Sequence, residues 1–144
     1  MVERSEPRER AAYRHYTVST MRWGDADAYG HVNNVVYYQW FDSAVNEWLV
    51  ARGLLDVERG DSIALVVETG CRYFTPLGFP GEVEIGIAID QIGRSSVTYH
   101  IGIFATGANH ASAEGHFTHV TVDRASRRPV PIPDAWREAC AELG

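Results

Sequence analysis

Six residues able to do chemistry or to shape a site fall within ten positions: Asp25, Asp27, Gly30, His31, Asn33 and Asn34, in the run DADAYGHVNN (25–34). Three chemistries compete for such a run, and metal binding is the first. D-x-D-x-x-G opens like a calcium loop, but Tyr29 stands where a third oxygen ligand is required. The twelfth position is Val36 rather than a bidentate glutamate. The six histidines form no HExxH, and His116 and His119, three apart on a predicted strand, point to opposite faces. No metal and no cofactor are expected.

Capping is the second use. Asn33 or Asn34 can cap a following helix, and Asp25 can form a turn by bonding its own backbone. Capping needs one side chain, however, and here six polar or special residues converge. The third use is acyl chemistry. The start of a buried helix offers unpaired N–H groups and a positive dipole end, which stabilise a developing oxyanion. A carboxylate just upstream can activate water or attack directly, and Gly30 lets the backbone approach a substrate closely. One acid and one oxyanion donor are too few for amide cleavage. They suffice for a thioester, whose thiolate leaves without a strong general acid.

These residues must be positioned by their neighbours in sequence. YRHYTVSTMRW (13–23) is rich in β-branched and aromatic residues and predicts a strand. From 34 to 52, Val36, Tyr37, Trp40, Phe41, Ala44, Val45, Trp48 and Leu49 recur with helical spacing, and Gly53 is placed to end the helix. Four strands are predicted after it, at 62–74, 82–90, 95–105 and 110–123, the first apolar on both faces as in a central strand. QIGRSS makes a hairpin turn, and the prolines at 129, 131 and 133 end the sheet. Asp134 is placed to cap a short final helix. The expected fold is α+β: a five-stranded antiparallel sheet, one long helix and a short C-terminal helix.

At 144 residues, 45% of them hydrophobic, residues 13–144 predict one domain, with 1–12 frayed. A net charge of −6 without a basic stripe argues against nucleic acid. All 13 basic residues are arginine, so an anion would be held by guanidinium groups or backbone N–H donors. No run approaches the roughly 20 apolar residues of a membrane span, the charged start is not expected to be a signal peptide, and Cys71 and Cys140 lie far apart and match no zinc or CxxC spacing. A cytoplasmic location is expected.

The run WGDADAYGHVNNVVY (23–37) resembles the signature of hotdog-fold acyl-CoA thioesterases of the 4-hydroxybenzoyl-CoA thioesterase type, and FTPLGFPGEVEIG and RRPVPIPD are similar to other parts of that family. The resemblance implies a sheet wrapped around the long helix and a homodimer, or dimer of dimers, joined edge to edge with active sites at the interface. It places the catalytic carboxylate, general base or nucleophile, at Asp27, the oxyanion donor at the backbone N–H near Asn34, and His31 in support. Asp25 takes a structural role, and Gly30 and Asn33 shape the substrate side. Arg94, with Ser95 and Ser96, falls at the hairpin where relatives meet the nucleotide of CoA. Tyr37, Trp40 and Phe74 are candidates to line an acyl pocket, and the helix acids Asp42 and Glu47 are secondary candidates for the catalytic carboxylate. Ala28 and Tyr29 stand where some relatives have proline, a departure that bears on the 4-hydroxybenzoyl substrate itself. The expected activity is hydrolysis of an acyl-CoA. A hydratase or dehydratase on the same fold, or a non-catalytic acyl-CoA-binding protein, are the alternatives.

Overall fold

The computed structural model describes residues 6–144. Its strands are β1 (His15–Thr20), β2 (Ser62–Tyr73), β3 (Glu82–Ile92), β4 (Ser96–Ala105) and β5 (Ala113–Asp123), and its helices α1 (Asn34–Ala51) and α2 (Asp134–Glu142). The strands form one antiparallel sheet in the order β1-β3-β4-β5-β2.

The sheet wraps around α1, whose residues Tyr37, Trp40, Phe41, Ala44, Val45, Trp48 and Leu49 are all buried. Their three- and four-residue spacing puts them on one stripe. Each large side chain withdrawn from water contributes about 1.5–3 kcal/mol, so this stripe fixes the helix against the sheet. Phe41 reaches the sheet where it meets Gly115, and a Cβ on Gly115 would lie 2.3 Å from the Phe41 ring. The helix ends as its sequence predicts: Gly53 N–H bonds to the Val50 carbonyl and Leu54 N–H to that of Leu49. This is the hotdog architecture.

Four local expectations change. The first strand is shorter than predicted, because Trp23–Asp25 leave it as a 3-10 turn closed by Asp25 onto the Arg22 N–H. β5 starts at Ala113 rather than 110, since Ala111 and Ser112 direct their N–H groups to Arg8 and Ile103. Residues 1–5 lie outside the described residues, but the rest of the segment expected to fray is bonded: Arg10 pairs with Glu84 at 2.8 Å. Asp134 is the first residue of α2, not its cap; Pro133 occupies the cap position.

The largest difference concerns β2. Its two apolar faces predict a central strand, yet it is an edge strand, with Leu65, Val66 and Val67 38%, 45% and 60% exposed beside a bulge between Val66 and Glu68. No helix among the described residues is long and apolar enough to cross a membrane.

Candidate active site

The loop from Ala26 to Val32 is closed by a bridge between those two residues. Within it the Asp27 N–H donates to the His31 carbonyl at 2.7 Å, and the Gly30 N–H to the Asp27 carbonyl at 3.1 Å. Gly30 has φ of +79°, a conformation costly to any residue with a Cβ. The loop therefore needs glycine at this position.

The two aspartates have different surroundings. Asp25 is 3% exposed. It accepts from the Arg22 N–H at 2.8 Å and from the Arg22 guanidinium at 2.9 and 3.2 Å, while its carbonyl accepts the Asn33 N–H at 2.8 Å. That arrangement is scaffolding. Asp27 is half-buried. Its Oδ1 accepts the N–H groups of Tyr29 and His31 at 2.9 and 3.2 Å, and its Oδ2 takes no hydrogen bond from the described residues. One oxygen shapes the loop and the other is available.

Asn33 caps α1, its Oδ1 accepting from the Val35 N–H at 3.1 Å and its carbonyl from the Val36 N–H at 3.0 Å. The Asn34 N–H is left as the first donor of the helix without a partner among the described residues. A cap and an N–H with no partner among the described residues thus coexist at one helix end.

Asp27, His31, Asn33, Asn34 and Tyr37 line one cleft of about 820 Å³. Its far wall is Tyr73, Phe74, Thr75 and Pro76, and Tyr29 and Val32 complete it. Gly30 shapes the loop at its mouth. Inside, the Tyr37 and Tyr73 rings meet edge to face at 4.9 Å. Burial, with the neighbouring Cys71 second, pushes the Tyr37 phenol up to about 12, so it stays protonated. Burial likewise pushes the Cys71 thiol up to about 11, so this cysteine is no nucleophile.

Other candidates lie elsewhere. Trp40 is core and borders a separate groove under β1, together with Glu47, which bonds to Thr17 at 3.3 Å. Asp42 is paired with Asn46 on the outer side of α1. Neither helix acid lines the cleft. Arg94, Ser95 and Ser96 sit at the β3–β4 hairpin, at the opposite end of the sheet from Asp27 within the same chain. That hairpin is braced by the C-terminal tail: Ile132, between two prolines, donates its N–H to the Arg94 carbonyl at 2.9 Å, and Arg137 donates to the Gly93 carbonyl at 3.0 Å.

Tyr29 and Tyr73 are cleft residues that residue-type reasoning does not single out. Tyr29 stands out in the sequence only where a calcium ligand or a proline is missing, and Tyr73 reads as one more strand aromatic. Its only hint is that YFTP leaves the strand beside the helix start. Among the described residues no three histidine, cysteine, aspartate or glutamate side chains are grouped to hold a metal ion.

The chain is similar to known proteins over nearly its whole length. Residues 21–140 match the thioesterase-like superfamily. The PA5185 protein of Pseudomonas aeruginosa is 47% identical, with a TM-score of 0.92 over 95% of this chain and 96% of that one. The BH1999 gentisyl-coenzyme A thioesterase is 26% identical, with a TM-score of 0.76 over 88% and 99% of the two chains. Slr0204, a 1,4-dihydroxy-2-naphthoyl-CoA thioesterase from Synechocystis, shares the fold at 20% identity, with a TM-score of 0.79 over 89% and 96%. No curated protein matches the sequence. With 120 consecutive residues matched, from 21 to 140, and the loop and helix end arranged as described, the chain belongs to the thioesterase-like superfamily of hotdog proteins.

Proposed function

We propose that the protein hydrolyses an acyl-CoA to a carboxylic acid and CoA, with Asp27 and the Asn34 N–H as its two catalytic elements. One observation carries this reading: Asp27, whose Oδ2 takes no hydrogen bond from the described residues, and Asn34, whose helix N–H has no partner among them, line the same cleft. The thioester carbonyl points its oxygen at the Asn34 N–H, where the helix dipole favours the charge that develops. Asp27 Oδ2 then takes a proton from water, which attacks the carbonyl carbon, or attacks that carbon itself to give an anhydride that water cleaves. The C–S bond breaks in either course and CoA leaves as thiolate. His31, exposed beside Asp27, orients the water. Gly30 and Asn33 shape the approach, and Tyr37 walls the acyl end.

The active unit in this reading is a homodimer, alone or paired into a dimer of dimers. The exposed apolar side chains of β2, and its outer ladder unpaired among the described residues, call for a partner strand, and a second copy of β2 in antiparallel register supplies one. That pairing puts the Ser62 end of one copy beside the Tyr73 end of the other. The second copy's β3–β4 hairpin then lies at the same end of the joined sheet as the first copy's Asp27. Arg94, Ser95 and Ser96 thereby serve the neighbouring cleft, where guanidinium and hydroxyl donors meet the phosphates of CoA.

The test is thiol release from acetyl-, octanoyl-, palmitoyl- and benzoyl-CoA. Turnover of at least one supports the reading, and no thiol from any of the four would remove it.

A further inference from the structure

Tyr73 is the last residue of β2 and is 48% exposed, although its ring and hydroxyl are both engaged. The phenol donates to the Asn34 carbonyl at 3.3 Å. The ring meets that of Tyr37 edge to face at 4.9 Å and 87°. Asn34 and Tyr37 are the first and fourth residues of α1, so one side chain from the sheet edge grips the first turn of the helix at two points.

That turn is where a helix frays most readily, because its N–H groups have no intrahelical partners. Asn33 caps Val35 and Val36 but leaves Asn34 uncapped. The N–H and carbonyl of Asn34 belong to adjacent peptide planes that share one φ/ψ pair. A donor fixed on the carbonyl therefore limits where the N–H can point. Burial, ahead of the influence of Cys71, pushes the phenol's pKa up, so the hydroxyl keeps its proton throughout the neutral range.

We propose that Tyr73 is a positioning residue: it holds the Asn34 N–H in its oxyanion-binding direction and makes that direction depend on the placement of edge strand β2. The proposal rests on the thioesterase reading above and adds a link between assembly and chemistry. The outer ladder of β2 is unpaired among the described residues, so whatever pairs with it fixes where its end sits. Tyr73 carries that placement to the helix start. An oxyanion donor gains by being set before the substrate arrives, since no reorganisation is then needed as charge develops.

The experiment compares wild type with Tyr73→Phe, which keeps the ring contact and removes the donor, and Tyr73→Leu, which removes both. The first readout is kcat and KM on whichever of the four acyl-CoAs is turned over fastest. Tyr73→Phe should lower kcat about three- to tenfold, the range of one hydrogen bond, at little changed KM, with a larger loss for Tyr73→Leu. The second readout is amide hydrogen exchange over residues 33–41, which needs no substrate. Exchange should be faster in Tyr73→Phe and faster again in Tyr73→Leu. A raised KM at unchanged kcat would make Tyr73 merely a wall of the acyl site and overturn the proposal. Unchanged exchange in both variants would overturn it as well. If wild type releases no thiol from any ester, the thioesterase reading fails, and the exchange arm still decides whether the clamp exists.

Discussion

The carboxylates of Asp25 and Asp27, two residues apart, face opposite tasks. Asp25 is sealed against Arg22, with a side-chain N···O distance of 2.9 Å, and receives three hydrogen bonds from that one residue. Asp27 gives Oδ1 to the N–H groups of Tyr29 and His31 and leaves Oδ2 to the cleft. One acid thus builds the turn, and the proposed mechanism assigns the free oxygen of the next to chemistry. Mutations at the two positions should separate stability from catalysis.

Asp25→Ala strips the acceptors from the Arg22 N–H and guanidinium, and opens the turn whose carbonyl holds Asn33. A loss of about 1–3 kcal/mol is expected for breaking a buried charge-assisted set, read as a lower urea midpoint. Asp27→Asn, with the same shape and an amide oxygen still able to accept, should leave that midpoint nearly unchanged.

Asn33→Ala removes the cap on Val35. The cost expected is about 1 kcal/mol, measured by thermal unfolding. The freed turn also carries Asn34, so kcat should fall together with stability, whereas Asn33→Ser, another good cap, should restore both.

Stability should depend on acid through two histidines. Burial lowers His119 to about 4. Burial, followed by the Arg8 charge, lowers His100 to about 4 as well, where its Nδ1 lies 3.0 Å from the Tyr13 hydroxyl. Both are neutral when folded and bind protons readily near 6.5 when unfolded, so the unfolded chain holds more protons between these values. The stability they contribute is complete above about pH 6.5 and is lost as pH falls toward 4. Urea midpoints at pH 7.0 and 4.5 check the direction, and His119→Leu should flatten the dependence. Equal midpoints in wild type at the two pH values would contradict it.

The edge strand predicts an assembly phenotype. Leu65→Glu places a charge on the outer face of β2, where a partner strand would bury it. Sedimentation should show a shift toward monomer, with thiol release falling in parallel. Arg94→Ala should keep the assembly and kcat, and raise KM for CoA esters severalfold.

The sequence made much of this legible, for physical reasons. The seven buried positions of α1 repeat at helical spacing, so the central helix can be read directly; Gly53 marks its end, while the choice between Asn33 and Asn34 as its cap needs the structure. The loop could be read because six special residues exceed what capping requires. β2 misled because a strand apolar on both faces looks the same whether it is covered by its own chain or awaits another. Arg94 is a similar case: it lies at the far end of the sheet from Asp27 in one copy, and pattern within one chain cannot point to the neighbouring cleft proposed for it. Tyr73 is not legible in the sequence, since its contact with Asn34 joins residues 39 apart, which no local periodicity records.

The central claim is that Asp27 performs the chemistry at the start of α1. Thiol release by Asp27→Asn, measured beside wild type on the acyl-CoA turned over fastest and with folding checked by its urea midpoint, tests it most directly. The account predicts a fall in kcat of about a hundredfold or more at an unchanged midpoint, as expected for loss of a general base or nucleophile. A folded Asp27→Asn protein that kept the full rate would contradict it.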